Sequence, residues 1–276
     1  MNFLAGGGDL GTLGLGLLIA GVVSGLVAGT LGVGGGIVIV PVMYHVLAAA
    51  GVPEDLRMHI AIGTSLATIV PTSLSSLYSH NKKGAVDWTL LRRWIVPMLA
   101  GVLAGAALSG MAPGGWLTVF FGVVALPVAA QLAFGKESRR LADHIPNGFG
   151  GALLPFGIGG VSTMMGIGGG TVGVPAMTLC GFPIHRAVGT ASAFGTIIAV
   201  PGAIAAVIAG WGAAGLPPYS YGYVNLVAFA IIAPVAFVMA PLGASIAHMT
   251  NTGRLRKVFA LFVAVTAVKM LWGVVS

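Results

Sequence analysis

Two stretches of this sequence share one pattern: "GTLGVGGGIVIVP" at Gly29 to Pro41 and "MGIGGGTVGVP" at Met165 to Pro175. In each, three consecutive glycines are followed by a proline, and Gly168 lies 134 residues after Gly34. Glycine costs a helix interior up to about 1 kcal/mol and proline about 3 kcal/mol. Both stretches nevertheless lie inside apolar runs. The pattern therefore predicts two helices that are broken at matching positions.

The composition indicates that this chain lies in a membrane. Hydrophobic residues make up 57% and charged residues 7% of the 276 residues, against about 25% charged in soluble domains. Several uncharged apolar runs approach or exceed the ~20 residues that cross a hydrocarbon core of about 30 Å. These runs are Leu10 to Leu31, Ile60 to Ser79, Ile95 to Gly110, Trp116 to Phe134, Ala187 to Gly210 and Val224 to Ala247. We predict an all-α polytopic membrane protein with about 8–10 membrane helical segments.

The formal net charge of +7 comes from short clusters of lysine and arginine between the apolar runs. This distribution is typical of cytoplasmic membrane loops. It does not indicate a nucleic-acid-binding protein, which needs a basic groove or stripe. The sequence also lacks the HExxH pair of zinc proteases and the GxxxxGK[ST] loop of nucleotide-driven pumps. We expect no cofactor, no metal and no nucleic-acid partner.

Further matches indicate an internal duplication. "HIAIGTSLA" from His59 matches "HRAVGTASA" from His185, at an offset of 126. The Gly84–Asp87 stretch matches Gly222–Asn225, at an offset of 138. The pair Gly105-Ala106 matches Gly243-Ala244 at the same offset of 138. We predict a first transmembrane repeat over 1–140 and a second over 141–276, within one integral membrane domain.

Loop charge predicts how the two repeats are oriented. The basic loops lie at His80 to Arg93, Lys136 to Arg140 and Arg254 to Lys257, and the positive-inside rule places them in the cytoplasm. The loops at Gly110 to Gly115 and Trp211 to Gly222 carry no charge, which places them outside. Equivalent segments then run in opposite directions, so we predict inverted-topology repeats, as in many secondary transporters.

This topology makes each glycine pattern the bend of a hairpin. The second arms are short: Gly36 to Ala50 is 15 residues and Gly170 to Gly181 is 12 residues. At 1.5 Å per residue these arms are about 22 Å and 18 Å long as helix. We therefore predict broken or re-entrant helices whose glycine turns lie at depth in the membrane.

A helix that restarts after such a turn directs free N–H groups and the positive end of its dipole at its surroundings, which favours an anion. The candidate anion-binding glycines are Gly34, Gly35, Gly36, Gly168, Gly169 and Gly170. The alternative is that these glycines only permit close helix packing. Because alanine is the better helix former, Gly35→Ala or Gly169→Ala could stay folded and yet lose transport if the turns bind an anion, whereas lower thermal stability with anion binding retained would indicate packing alone.

Other polar groups near the turns are candidates for binding or coupling. Pro41 and Pro175 have no N–H for the carbonyls of Ile37 and Thr171, which leaves those carbonyls for a coupling cation or water. The candidate hydroxyls are Thr30, Thr64, Ser65, Thr163, Thr171, Thr190 and Ser192, with Ser162 beside them. Such hydroxyls commonly bond back to their own helix instead.

The histidines His59 and His185 occupy equivalent repeat positions. They are possible proton carriers for coupling, because imidazole titrates near neutral pH. The alternative, which we favour, is anchoring near the membrane surface or hydrogen bonding at a helix start, because no carboxylate lies within the adjoining apolar run.

The two motifs "GVGGGIVIVPVM" and "GIGGGTVGVPAMTL", each followed after a short loop by "GTS" or "GTA", resemble the sulfite exporter TauE/SafE family over both repeats. The residues that match the repeated family motif are Gly32, Gly34, Gly35, Gly36 and Pro41, with Gly166, Gly168, Gly169, Gly170 and Pro175. The resemblance implies a multi-pass permease in the inner (plasma) membrane of a prokaryote. It also implies export of small sulfur-containing or organic anions such as sulfite or sulfoacetate.

We therefore expect a secondary transporter that binds a small anion near the midplane at the repeat interface and works by alternating access. A proton or a sodium ion is the possible coupling ion, and the lipid bilayer is the surrounding partner. The alternatives are an anion channel or importer, and a membrane-embedded enzyme or non-transporting scaffold.

Overall fold

The computed structural model describes residues 10–31, 34–134, 148–249 and 252–275. These residues form ten helices and one two-stranded hairpin. The helices are α1 (Leu10–Leu31), α2 (Gly36–Ala49), α3 (Glu54–Lys82), α4 (Trp88–Met111), α5 (Gly114–Phe134), α6 (Gly148–Met165), α7 (Gly170–Leu179), α8 (Ile184–Ala209), α9 (Leu226–Met249) and α10 (Thr252–Val275). The strands are β1 (Ser220–Tyr221) and β2 (Val224–Asn225).

Six of the described helices are long and apolar enough to cross a bilayer: α1, α3, α4, α5, α8 and α9. The remaining four contain shorter apolar segments. The predicted all-α membrane architecture is thereby confirmed, and every apolar run read from the sequence falls largely within one helix. The boundary 1–140/141–276 between the repeats stays a prediction.

The helices are broken at both glycine patterns, as predicted. The helix α1 ends at Leu31 and α2 begins at Gly36, while α6 ends at Met165 and α7 begins at Gly170. The motif residue Gly32 lies outside the described residues. The second arms α2 and α7 have 14 and 10 residues, or about 21 Å and 15 Å, so neither spans a core of about 30 Å as a straight helix. Their re-entrant insertion stays a prediction.

The repeat mates α3 and α8 pack against each other in opposite directions. A Cβ on Gly63 would lie 3.0 Å from the Cβ of Ala206, and farther along α3 the Ser73 Oγ lies 2.9 Å from the Thr196 Oγ1. Residue numbers thus rise along α3 as they fall along α8. This antiparallel pairing is the arrangement that inverted repeats require at these two helices; the inverted relation of the complete halves stays a prediction.

Glycine lets helices of the two predicted repeats approach closely. A Cβ on Gly105 of α4 would lie 2.9 Å from the Cα of Gly160 in α6. Its repeat equivalent Gly243 in α9 packs in the same way on the backbone of Leu26 in α1, at 3.0 Å from the Cα. Small residues at such crossings are how membrane helices gain packing without a hydrophobic driving force. For these glycines the packing role is confirmed.

The connecting loops separate into two groups at opposite ends of α3. The first turn of α3 packs on the α4–α5 link and on the segment after α8, because Gly114 meets the backbone of Asp55 and Gly215 faces Leu56. The loop after α3 instead packs on the start of α8, where Gly189 faces Ala85. The loops without charge therefore share one end, and the basic loop at His80 to Arg93 lies at the other. The cluster Lys136 to Arg140 lies outside the described residues.

One feature of the fold differs from the sequence prediction. The apolar run was expected to begin at Val224, but Val224–Asn225 forms strand β2, which pairs with β1 in antiparallel register. The chain reverses at Gly222, whose φ is +53°, a value that favours glycine. Helix α9 therefore starts at Leu226, and the Asn225 Oδ1 accepts a hydrogen bond from Ala228 N at its first turn.

Sidedness can be tested by single cysteines in a Cys180→Ser background, with membrane-impermeant maleimide applied to intact cells. Because α3 separates the two groups of loops, we expect Met111→Cys and Pro218→Cys to be labelled from outside. We expect Lys83→Cys and Lys257→Cys to be labelled only after the membrane is opened. All four positions are exposed. Labelling of positions 83 and 111 from the same side would contradict this arrangement.

Candidate functional site

The two glycine turns lie in direct backbone contact with each other. A Cβ on Gly34 would lie 2.9 Å from the Cα of Gly168. A Cβ on Gly36 would lie 2.9 Å from the Cα of Ile167 and would collide with the carbonyl of Gly166. Real Cβ atoms do not approach other atoms this closely, so only glycine fits. The sequence predicted two turns; the structure brings them together at the centre of the helix bundle.

Helix α3 completes the second turn. The Ser65 Oγ donates a 2.7 Å hydrogen bond to the Gly166 carbonyl oxygen, which the break in the helix leaves without its helical partner. The backbone of Ile62 lies against Gly166, 2.8 Å from where a Cβ would stand. Ser65 is thus brought to the turn, where it stabilises a backbone carbonyl, and substrate binding by Ser65 stays a prediction.

Both turns use left-handed backbone to start the next helix. Gly35 has φ +72° and Gly169 has φ +68°, and each is the N-cap of its helix. A Cβ on Gly35 would lie 2.6 Å from the carbonyl oxygen of Ser24, and one on Gly169 would lie 2.9 Å from the Cβ of Phe194. The expectation that alanine is tolerated at these glycines is wrong, because it considered helix propensity and omitted φ and crowding.

Three of the candidate hydroxyls donate to their own helices. Thr30 Oγ1 donates to Leu26 O at 2.9 Å, Thr163 Oγ1 to Gly159 O at 2.8 Å and Ser192 Oγ to Gly189 O at 2.6 Å. In these three side chains the hydroxyl proton is used in a hydrogen bond to the same helix, as the alternative of local bonding predicts. Each oxygen keeps a lone pair but has no second proton to offer an anion.

Thr64 and Thr190 have matching contacts, each with a backbone N–H in a loop. Thr64 Oγ1 accepts a hydrogen bond from Asn225 N, and Thr190 Oγ1 accepts one from Asp87 N, both at 2.9 Å. Each contact joins the two predicted repeats, and each holds the residue that caps the following helix. The Asp87 Oδ1 accepts from Leu90 N, as Asn225 does from Ala228 N. Both threonines therefore hold loops, and substrate binding by them stays a prediction.

The two equivalent histidines lie in different environments. His59 is buried, its Nδ1 and Nε2 lie 2.9 Å and 3.1 Å from the carbonyl oxygens of Asp55 and Ala112, and its ring packs on Tyr223 at 4.8 Å between centroids. His185 is exposed. His59 therefore ties the start of α3 to the α4–α5 link, as the anchoring alternative predicts. A coupling role for either histidine stays a prediction.

Sequence reasoning did not single out the ion pair between the repeats. Arg186 Nη2 lies 2.6 Å from Asp87 Oδ2, with side-chain exposures of 53% and 15%. Such a partly exposed pair stabilises by little, because water screens it. The repeat match of Gly84–Asp87 with Gly222–Asn225 contained a signal for this pair. Asp87 carries a negative charge where its repeat equivalent Asn225 carries none, so only Asp87 can form an ion pair.

A small cavity extends from the uncharged end of the bundle toward the second turn. It has a volume of about 20 Å³, and its polar lining comes from His59, Ser109, Thr163 and Tyr223. This volume holds about one water molecule. Thr163 is close to the turn, because its carbonyl accepts a hydrogen bond from Gly166 N. The cavity therefore has one lining residue next to the second turn.

Two hydroxyls beside the second turn have no partner. Within the described residues, neither Ser162 Oγ nor Thr171 Oγ1 makes a hydrogen bond, and both side chains are buried. Thr171 was a predicted site residue, and it lies in the first turn of α7. Its hydroxyl and that of Ser162 are therefore free to donate to a bound group.

Stability measurements on purified protein test the contact between the turns. Gly34 and Gly51 have nearly equal φ, +74° and +76°, but nothing lies within 4 Å of a Cβ on Gly51. We expect Gly51→Ala to cost about 1–2 kcal/mol, the cost of left-handed backbone, and Gly34→Ala to lower Tm considerably further because the methyl would push the turns apart. Equal Tm losses in both variants would contradict the contact.

Comparison with known proteins gives the family. Residues 17–270 match the model of the family described as "Sulfite exporter TauE/SafE". A probable membrane transporter protein of Haemophilus influenzae is 32% identical over 253 residues, which are 92% of this chain and 96% of the relative. A probable membrane transporter protein of Methanocaldococcus jannaschii is 24% identical, over 92% of this chain and 94% of the relative.

A shorter match covers 45% of this chain and 45% of a probable membrane transporter protein of Bacillus subtilis, at 30% identity. No solved structure matches this chain. The family match covers most of the chain, including both glycine turns, and the relatives that align over nearly their full length are named as membrane transporters. The chain is a multi-pass membrane transporter and belongs to the sulfite exporter TauE/SafE family.

Proposed function

We propose that this protein is a secondary transporter that exports small sulfur-containing or organic anions, such as sulfite or sulfoacetate, across the inner (plasma) membrane of a prokaryote. The family description supports this substrate class. The names of the relatives favour transport over catalysis in a membrane-embedded enzyme. The single observation that carries the proposal is the contact between the two glycine turns, at the starts of α2 and α7.

The chemistry of the two helix starts favours an anion. The first N–H groups of a helix have no acceptor inside it, and the aligned peptide dipoles add a partial positive charge there. The turns at Gly34–Gly36 and Gly168–Gly170 are buried, so water does not screen this charge as it would at a surface. A small oxyanion that reaches this place supplies acceptors for the N–H groups.

The size of the cavity supports alternating access. The space of about 20 Å³ beside His59 and Thr163 suits one water molecule, whereas sulfite has four heavy atoms and sulfoacetate more. Such an anion does not fit this cavity unless the helices that line it move apart. Movement of one repeat element against the other, with the turns between them, would expose the anion to each side alternately. A proton or a sodium ion is the proposed coupling partner.

Flux through proteoliposomes that contain only this protein tests the proposal. Vesicles loaded with unlabelled sulfite or sulfoacetate are diluted into a trace of the same labelled anion, in anaerobic buffer. The membrane potential is held at zero with valinomycin and equal potassium on both sides, because efflux of the loaded anion through a channel would otherwise also draw the labelled anion inward. A carrier exchanges one anion for the other, so we expect the labelled anion to accumulate transiently inside vesicles that were loaded, and not in vesicles loaded with chloride. Protein-free vesicles are the control.

The possible results separate the alternatives. Flux without accumulation by exchange would indicate an anion channel and contradict alternating access. If neither sulfite, sulfoacetate nor a small carboxylate crosses faster than in protein-free vesicles, the proposed substrate class is wrong.

A further inference from the structure

The second glycine turn differs from the first in the chemistry beside it. Ser162, near the end of α6, and Thr171, in the first turn of α7, are 0% and 3% exposed. Neither hydroxyl has a hydrogen-bond partner within the described part of the chain. A buried hydroxyl without a partner is unfavourable, because it loses its bonds to water and gains none. Native structures rarely keep two such groups at one turn unless something else bonds to them.

The first turn shows that the fold does not need these hydroxyls. At the offset of 134 that relates the two motifs, Ser162 corresponds to Ala28 and Thr171 to Ile37. Ala28 and Ile37 are both fully buried and satisfy the same turn geometry with apolar side chains. Packing therefore explains the apolar pair, while the hydroxyl pair at the same burial needs another cause.

The available groups at the second turn are donors. Each free hydroxyl has one proton to give. The N–H of Gly170 already donates to Gly168 O, but the next two N–H groups of α7 have no acceptor within the helix. Two of the nearby carbonyls are already occupied, since Gly168 O accepts from Gly170 N and Gly166 O accepts from Ser65. The positive end of the α7 dipole adds to this preference. A group with several acceptor oxygens and a negative charge fits these donors better than a cation.

We propose that the anion site is one-sided: a small oxyanion binds at the second turn, accepting hydrogen bonds from the hydroxyls of Ser162 and Thr171, and the first turn serves as packing support. This inference rests on the proposed function and specifies where its substrate is held.

Binding and stability measured on the same variants test the site. The variants are Ser162→Ala and Thr171→Val, with Thr178→Val as the matched control, because Thr178 lies on the same helix and donates to Val174 O and Pro175 O at 3.0 Å and 2.9 Å. The probes are sulfite and sulfoacetate, measured by calorimetry in detergent at constant sodium concentration, alongside Tm without any probe.

We expect Ser162→Ala and Thr171→Val each to weaken probe binding by about tenfold or more, the usual effect of losing a hydrogen bond to a charged group. We expect the Tm without probe to rise or stay unchanged, because an unpartnered hydroxyl has been removed. Thr178→Val should bind the probes like the wild type. This combination of weaker binding with unimpaired stability supports the site, since a purely structural role would lower Tm.

The contrary results are distinct. If the wild type binds and exchanges the probes and both variants bind them equally well, the one-sided site is wrong and the proposed function stands. If Tm without probe falls in both variants, the hydroxyls are structural, and the site is wrong. If sodium alone stabilises the wild type and the variants lose that effect, the site binds a cation. If the wild type neither binds nor exchanges either anion, both proposals fail.

Discussion

The structure depends on how two broken helices bury the backbone N–H and C=O groups at their breaks. A helix break inside a membrane exposes N–H and C=O groups, and hydrocarbon offers them no partner. Here each break is covered by the other: the turn at Gly34–Gly36 lies on the turn at Gly166–Gly168, at distances that only glycine allows. Ser65 of α3 bonds the carbonyl of Gly166. The antiparallel pair of α3 and α8 contacts both turns, because Ile69 of α3 faces Gly34 and Phe194 of α8 faces Gly169.

The symmetry of the contacts makes the differences between the halves informative. Thr64 and Thr190 hold equivalent loops with bonds of equal length, and Gly105 and Gly243 permit equivalent helix crossings. Three pairs depart from this symmetry: Asp87 and Asn225, His59 and His185, and the side chains beside the glycine turns. A scaffold with matching halves needs no such departures for stability. Of these three, only the pair beside the glycine turns leaves buried hydroxyls without a partner in the described part of the chain.

The sequence was sufficient to predict the helices and the positions at which two of them break. Apolar runs of membrane length and glycine triplets determine structure within their own segment, so they can be interpreted without knowing which other helices pack against them. The contact between Gly34 and Gly168 was not available in this way, because it depends on how distant helices pack. The effect of alanine at Gly35 and Gly169 also depends on the fold. Helix propensity favours alanine there, but the positive φ and the close neighbouring atoms disfavour it. The hairpin at Ser220–Asn225 was hidden because its strands have two residues each.

We expect the two turns to meet inside the hydrocarbon region of the membrane. An experimental structure in lipid nanodiscs, by cryo-electron microscopy with a bound antibody fragment, measures both the contact and its depth against the density of the bilayer. We predict that the backbone of Gly34 touches that of Gly168 near the midplane, and that α2 and α7 both end short of the far surface. Turns that lie at the lipid headgroups, or that are separated by lipid, would contradict the account.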